Sequence, residues 1–489
     1  MNFWQKLWCG LRSTSVKALA IKIGVCLGAF AVGILADWQP AIIICALLAC
    51  AFIVIEANVK SVAYIFFFAS FENMIVWWYQ FTCVVFCITC LVLFAVKTCP
   101  KEKKQFLCLA IGIAVFLLYS LVISLATIDI VYGGFVLHLL MLFVLCVFRD
   151  EIDFKAIVYV FIAGIFVAAF FGLFVEVLPA IARRGAEFRA YGLTRFGALT
   201  GNPNRLHIHL FAAINGLFIL DLKKQIPLKF FIPLLAVLFA IGFSTVARTF
   251  VLVFAINLVG FIVLKIVRDR RCALVPVLAV GLMVLVMCGV MYPYTMANAK
   301  RFLGIPEEEG TIIIREDPPW HEKYGTDPNQ YMWGDGDVDD PGRLGIWERN
   351  LKEWLSSPKK FLFGNGFGSP DSGNIHQHNV FIMLLIKTGL VGVLVFAALM
   401  FSLFYTLHKV KKYKFNFAFL FFTLIVFGMV SMFEIKFPAI SGFLFFFLYV
   451  FAIEKKEPAE QREPAEKEQN FSESENFTKN QPAEQRETF

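Results

Sequence analysis

The chain has 489 residues, of which 59% are hydrophobic and 17% are charged, and its mean hydropathy is +0.70. A soluble core cannot bury so much apolar surface, so the composition excludes an ordinary soluble enzyme and predicts a polytopic membrane protein. The formal net charge of +8 is spread over short loops between apolar segments, and it is therefore no indication of nucleic-acid binding.

Apolar segments of membrane-spanning length follow one another along the chain and predict an all-α fold with about fourteen transmembrane helices. The first segment lacks a small-residue cleavage site and is followed at once by others, so we interpret it as a span and not as a signal peptide. The predicted spans are residues 17–34, 41–58, 61–78, 81–97, 106–124, 129–148, 156–177, 204–222, 229–243, 249–266, 272–292, 379–406, 415–432 and 438–453.

Basic residues orient these spans. When the N-terminus is placed in the cytoplasm, Lys and Arg collect in the cytoplasmic loops, as in KVKKYK at 409–414, and the first three outside loops contain neither. The prediction is a polytopic membrane protein with both termini in the cytoplasm. Its four parts are residues 1–177 with spans one to seven, residues 178–406 with the long extracytoplasmic loops 178–203 and 293–378, residues 407–453 with the last two spans, and a polar, disordered tail at 454–489.

Arginines on the predicted outer side run against the orientation rule and need a reason. One outer loop contains four arginines and no lysine, and the short hinge STVART contributes Arg248. The planar guanidinium fork binds phosphate oxygens in pairs, so the set predicts a phosphate or pyrophosphate site. The alternative is contact with lipid headgroups, or ion pairs with Glu176 and Glu187. The loop arginines are Arg183, Arg184, Arg189 and Arg195.

Two histidines, His376 and His378, precede the apolar run 379–406. A neutral imidazole can accept a proton from a hydroxyl, which makes His378 a candidate general base. On one continuous helix, Gly389 and Gly392 would fall within about 40° of His378 and let another helix approach closely. The alternative is an interfacial histidine that only caps the helix. Upstream, RLGIWERNLKEWL at 343–355 predicts an amphipathic helix.

His378–Asn379, nine residues, Gly389, two residues and Gly392 resemble the HN-x9-GxxG signature of the bacterial O-antigen ligase and O-antigen polymerase superfamily. GNPN at 201–204 and STVARTF at 244–250 are similar to two further segments of that family. RLGIWERNL followed by FLFGNGFG is similar to the stretch before the family's histidine. The similarity covers residues 185–405.

The resemblance implies a metal-independent, inverting glycosyltransferase of the helical GT-C type that needs no cofactor. Such an enzyme assembles surface polysaccharide or lipopolysaccharide at the outer face of the inner membrane, with a glycan on undecaprenyl pyrophosphate as donor. His378 would activate the acceptor hydroxyl, and Arg248 with the loop arginines would neutralise the leaving pyrophosphate. Residues in supporting positions would be Asn204, Arg343, His376, Asn379, Gly389 and Gly392.

Alternatives remain within and outside this family. A ligase transfers the glycan to the lipid A core, whereas a polymerase transfers it to another lipid-linked repeat; Val393 and Leu394 stand where ligases often have threonines. A lipid-linked oligosaccharide flippase would also show outward arginines. Lys387, on the side of the helix opposite His378, and Glu72 have no assigned role.

Overall fold

A computed structural model describes most of the helical part of the chain. The described residues are 16–35, 104–124, 130–173, 189–191, 193–198, 203–268, 273–303, 305, 342–366, 379–431 and 440–455, with isolated residues between 44 and 92. The predicted span 61–78 and the predicted tail beyond residue 455 lie outside them, as do most residues of the two long loops.

Within these residues the chain is almost entirely helical, and a helix coincides with every predicted span from 106–124 onward. The helices are α1 (Val16–Leu35), α2 (Leu107–Ser124), α3 (Ile130–Val147), α4 (Phe154–Gly172), α5 (Pro203–Leu222), α6 (Leu228–Phe243), α7 (Arg248–Arg268), α8 (Leu274–Val290), α9 (Tyr292–Phe302), α10 (Gly342–Trp354), α11 (Pro358–Phe363), α12 (Val380–Tyr405), α13 (Phe417–Leu420), α14 (Val426–Ser431) and α15 (Ile440–Ala452).

Four shorter elements interrupt or join these helices, and the first is a 3-10 turn over Arg149–Glu151 between α3 and α4. A two-stranded antiparallel hairpin, β1 (Arg189–Ala190) and β2 (Leu193–Thr194), pairs Arg189 with Thr194. A π-helical turn extends α12 over Thr406–Val410, and another joins α13 to α14 over Phe421–Ile425.

Four described helices are long and apolar enough to cross a membrane: α2, α4, α7, and α12 with its π-helical extension. The pair α8 and α9 would add a fifth, but α9 is bent by 96° away from α8. The predicted all-α membrane protein is thus confirmed at this level, and the count of fourteen spans stays a prediction.

Helix α5 lies at the centre of the bundle, where its residues from 206 to 222 are buried almost without exception. It packs against α4, α6, α7 and α15. The ring of Phe218 stacks on Phe261 with centroids 4.6 Å apart and also contacts Phe231 and Phe422. Aromatic pairs of this kind contribute about 0.5–1.5 kcal/mol beyond their buried area, so these rings tie the surrounding helices to α5.

One end of the bundle, which we call the basic end, gathers residues 149–155, 223–229, 411–414 and 453–455. Tyr413 donates a 2.5 Å hydrogen bond to Asp150, whose carboxylate also pairs with Lys455 at 2.9 Å. Lys223 pairs with Glu454 at 2.8 Å, and Arg149 donates to the Ile453 carbonyl. The predicted alternation of spans would place all these segments in the cytoplasm, and they contact one another here.

The opposite end, which we call the hinge end, gathers the segments that the same alternation places outside. Gly172 at the end of α4 lies against Ala198, and Gly366 lies against the Ile123 carbonyl at the end of α2. The turn between α6 and α7 contacts the hairpin and α9. The candidate site residues that the structure describes are on this end.

Candidate functional site

The hinge between α6 and α7, residues 244–247, is a sharp turn with one strained residue. Val246 has a φ of +47°, a left-handed conformation that β-branched residues rarely adopt. Strain of this kind costs about 1–3 kcal/mol and persists only where surrounding contacts hold it. The hinge therefore needs partners, and the structure supplies them.

Four consecutive carbonyls at the end of α6 and in the hinge accept hydrogen bonds from distant segments. The donors are the side chains of Arg195, Asn298 and Arg301 and one backbone N–H, that of Phe196. The bonds run from Asn298 Nδ2 to Phe243 O (2.9 Å), Phe196 N to Ser244 O (3.0 Å), Arg195 Nε to Thr245 O (2.9 Å) and Arg301 Nη1 to Val246 O (2.8 Å). The last carbonyls of a helix lack partners within it, and cations are favoured there, so these donors hold the hinge in its strained form.

Arg195, predicted to bind pyrophosphate, is buried and uses its Nε to hold the hinge. The hairpin β1–β2 leads directly into it. Arg189 lies in β1, paired with Thr194 of β2, and the structure describes only its backbone. Arg183 and Arg184 lie outside the described residues. Phosphate binding by this loop therefore remains a prediction, and the structure adds a structural function for Arg195.

Asn298 and Arg301 on α9 were not among the residues singled out by sequence. Both lie on the buried side of α9, where Asn298 also donates to Tyr294 O at 2.9 Å. Their spacing with Tyr294, at i, i+4 and i+7, is the one sequence signal that places them on a common helix face. That signal does not reveal the partner, because the partner is a turn about fifty residues earlier.

Arg248, the predicted catalytic arginine, is the first residue of α7 and its side chain is exposed. Among the residues that the structure describes, its guanidinium has no hydrogen-bond or ion-pair partner. The free N–H groups of the first turn of α7 add partial positive charge beside it. The hinge thus presents an uncommitted cation at the end of an apolar helix, an arrangement suited to an anionic ligand.

Asn379 caps the start of α12. Its buried side chain accepts hydrogen bonds from Phe381 N at 2.9 Å and Ile382 N at 3.2 Å. An Asn cap is worth about 1 kcal/mol to a helix and fixes the direction in which the chain enters it. Asn379 thus fixes the position at which α12 begins. His378 and His376 themselves lie outside the described residues.

Helix α12 is broken at Gly389, which has φ +65° and ψ −175°. The expectation of one continuous helix is therefore wrong, and with it the shared face computed from His378 to Gly389 and Gly392. The break deprives the preceding carbonyls of their helical partners, and other groups replace these. Asn365 N donates to Ile386 O at 2.8 Å and Gly366 N to Lys387 O at 2.9 Å.

The two glycines allow close approach, as predicted, but each for its own reason. A Cβ on Gly389 would overlap the Leu362 carbonyl group of α11, so that residue 389 must lack a side chain. A Cβ on Gly392 would meet the Thr388 side chain at 2.2 Å and the ring of Tyr119, on α2, at 2.8 Å. Gly389 lets the 358–366 segment reach the break, and Gly392 lets α2 pack against α12.

The predicted amphipathic helix is confirmed as α10 and packs against α12. Trp354 Nε1 donates to Phe361 O at 3.1 Å, and Asn365 Nδ2 donates to Glu353 at 2.8 Å. Helices α10 and α11 and the turn at residues 364–366 therefore pack together beside the break in α12. Arg343 lies in the first turn of α10 and Asn204 in the first turn of α5; the structure describes only their backbone.

Helix α14 contacts both α7 and the first turn of α12. This short helix packs against α7, and its Gly428 lies beside the ring of Phe381.

Comparison with models of protein families, with curated proteins and with solved structures found no match to this chain.

Proposed function

We propose that this protein is a membrane glycosyltransferase. It transfers a glycan from undecaprenyl pyrophosphate to a sugar hydroxyl at the outer face of the bacterial inner membrane, as the resemblance to the O-antigen ligase superfamily implies. The hinge end of the bundle is then the extracytoplasmic end and the basic end is cytoplasmic.

One observation carries the proposal. Arg248 is exposed on a hinge whose carbonyls are held by Arg195, Asn298 and Arg301, and it has no partner of its own among the described residues. A charge at the end of an apolar helix is costly unless it is used. A guanidinium on a backbone that is held in this way can stabilise the negative charge that develops on a leaving pyrophosphate.

In this proposal the His378 imidazole accepts the proton of the acceptor hydroxyl. The hydroxyl oxygen attacks the anomeric carbon on the face opposite the leaving group, which inverts the configuration. The bond from the anomeric carbon to the pyrophosphate oxygen breaks, and Arg248 with the arginines of residues 183–195 neutralises the departing anion. Asn379, as the cap of α12, orients the chain at His378.

The alternative within the family is a repeat polymerase, in which the attacking hydroxyl belongs to a second lipid-linked glycan. The alternative from another class is a flippase, for which the exposed Arg248 would guide a lipid-linked anion across the bilayer without bond formation. The three differ in product, so one assay separates them.

The test is transfer in proteoliposomes that contain an undecaprenyl-pyrophosphate glycan, with and without lipid A core, in the presence of EDTA. The variants are His378→Ala, Arg248→Ala and the control Lys352→Ala, which changes an exposed cation on α10. Transfer to core that requires His378 and Arg248 supports the ligase, and donor elongation without core supports the polymerase. Lipid movement without a new glycosidic bond, unchanged in His378→Ala, would overturn the enzyme proposal.

A further inference from the structure

Helix α9 has an unusual distribution of side chains for a helix at a protein surface. Its buried side faces the hinge and carries Tyr294, Ala297, Asn298 and Arg301. The opposite side is apolar and exposed, with Tyr292, Met296 and Leu303 at 61%, 40% and 72% exposure. At about 100° per residue these three lie within about 40° of one another around the helix.

The orientation of α9 follows from its bend. Helix α8 is apolar, with 17 residues that extend about 25 Å at 1.5 Å per residue, and its exposed face includes Leu282, Leu285 and Val290. Transmembrane helices tilt by about 20° from the bilayer normal. A bend of 96° therefore places α9 close to the membrane plane and not across it.

Val290 at the end of α8 and Tyr292 at the start of α9 are both exposed, one on each side of the bend. A cation flanks the exposed apolar side of α9, because Lys300 is exposed about 80° around the helix from Tyr292. An apolar strip with an aromatic residue at one end and a basic flank is the pattern of a helix that lies in the lipid–water interface.

We infer that α9 is an interfacial helix, with the face of Tyr292, Met296 and Leu303 in contact with the acyl chains and headgroups of the outer leaflet. The opposite face of the same helix holds the hinge through Asn298 and Arg301. The hinge and Arg248 then lie at headgroup depth, separated from lipid by the thickness of one helix, about 10 Å. This inference concerns a membrane contact and does not rest on the proposed reaction.

The experiment measures the depth of residue 296 in the full-length protein. A small fluorescent amino acid is incorporated at Met296 by codon suppression, since the chain has twelve native cysteines that would compete for thiol labels. The protein is reconstituted into phosphatidylcholine brominated near the headgroup or near the chain end, and aqueous iodide is the third quencher. Lys352 on α10 and Leu282 on α8 are the matched water and deep-lipid controls.

The expected result at residue 296 is several-fold stronger quenching by lipid brominated near the headgroup than near the chain end, with weak quenching by iodide. A label at Leu303 should behave in the same way, which guards against a fold defect caused by one substitution. Iodide quenching equal to that at Lys352 would overturn the inference in favour of an aqueous face. Preference for chain-end bromine, as at Leu282, would mean that α9 re-enters the bilayer. Protection from all three quenchers would mean that protein covers it.

Discussion

The hydroxyl of Tyr119 donates a 2.7 Å hydrogen bond to the carbonyl oxygen of Thr388, the residue just before the break in α12. In a regular helix that carbonyl would accept from the N–H of Gly392, and the non-helical Gly389 lies between these two residues. The ring of Tyr119 also lies against Gly392, so α2 contacts α12 on both sides of Gly389.

Removing this hydroxyl should destabilise the break. In Tyr119→Phe, the buried Thr388 carbonyl loses its donor, at an expected cost of about 1–3 kcal/mol. The measurement is thermal unfolding in detergent. The control is Tyr405→Phe, because Tyr405 is 43% exposed and stacks on Phe401 through its ring, which the substitution keeps. Equal melting temperatures for the two variants would contradict a stabilising hydrogen bond from Tyr119 to Thr388.

Gly389→Ala should be among the most damaging single substitutions in the described part of the chain. The new Cβ would overlap the Leu362 carbonyl, and the alanine would have to adopt the φ of +65° that Gly389 has. We therefore expect the free energy of unfolding to fall by at least about 2 kcal/mol. Gly281→Ala is the matched control, since nothing lies within 4 Å of the added Cβ on α8. Comparable yield and melting temperature for both variants would show that Gly389 does not sit at a break.

Substitution of Arg248 should reduce activity and leave stability unchanged, whereas substitution of Arg195 should reduce stability. Arg248→Ala should leave unfolding within about 0.5 kcal/mol of the wild type, because the side chain is exposed and unpaired among the described residues, yet abolish the proposed transfer. Arg195→Ala should destabilise by about 1.5–3 kcal/mol, because it removes a buried, charged donor to Thr245. Paired unfolding and transfer assays check both. A stability loss in Arg248→Ala as large as in Arg195→Ala would contradict this division.

Asp150 should make the basic end sensitive to acid. Burial raises the pKa of its carboxyl, but the hydrogen bonds from Tyr413 and Lys455 and the charges of Lys455 and Lys411 outweigh burial and hold the pKa below its ordinary value. A depressed pKa contributes stability that is present above the unfolded-state pKa of about 4 and is lost as the pH falls through the folded-state pKa.

The corresponding variant is Asp150→Asn. It should melt below the wild type at neutral pH, and the difference should shrink as the pH is lowered beneath about 4, where the wild-type carboxyl becomes protonated. Melting curves across that range provide the measurement. Glu348→Gln is the control, because its carboxylate pairs with Lys352 on the exposed surface of α10. A difference independent of pH would show that Asp150 acts through its shape and not its charge.

The sequence by itself determined most of the helices of this protein. Apolar runs predicted α1 to α8 and α12 to α15 to within a few residues, and α10 followed from the spacing of Trp347 and Leu351, whereas α9 and α11 were not predicted. These features are local, because a run of apolar residues reports its own burial whatever surrounds it. The sequence also predicted that the basic loops meet at one end of the bundle, because successive spans run in opposite directions and every second loop then lies at the same end.

Only the tertiary structure decided how the hinge and the break are held. Tyr119 lies 269 residues from Thr388, and Arg301 lies 55 residues from Val246. A single tyrosine in an apolar run, or an arginine after a span, carries no signal of such a partner. In the sequence, Gly389 looks like a small residue within a regular helix. The break at this position is possible only because the 358–366 segment supplies donors to the carbonyls that the break exposes, since backbone groups buried in a membrane protein must find hydrogen-bond partners in the segments packed beside them.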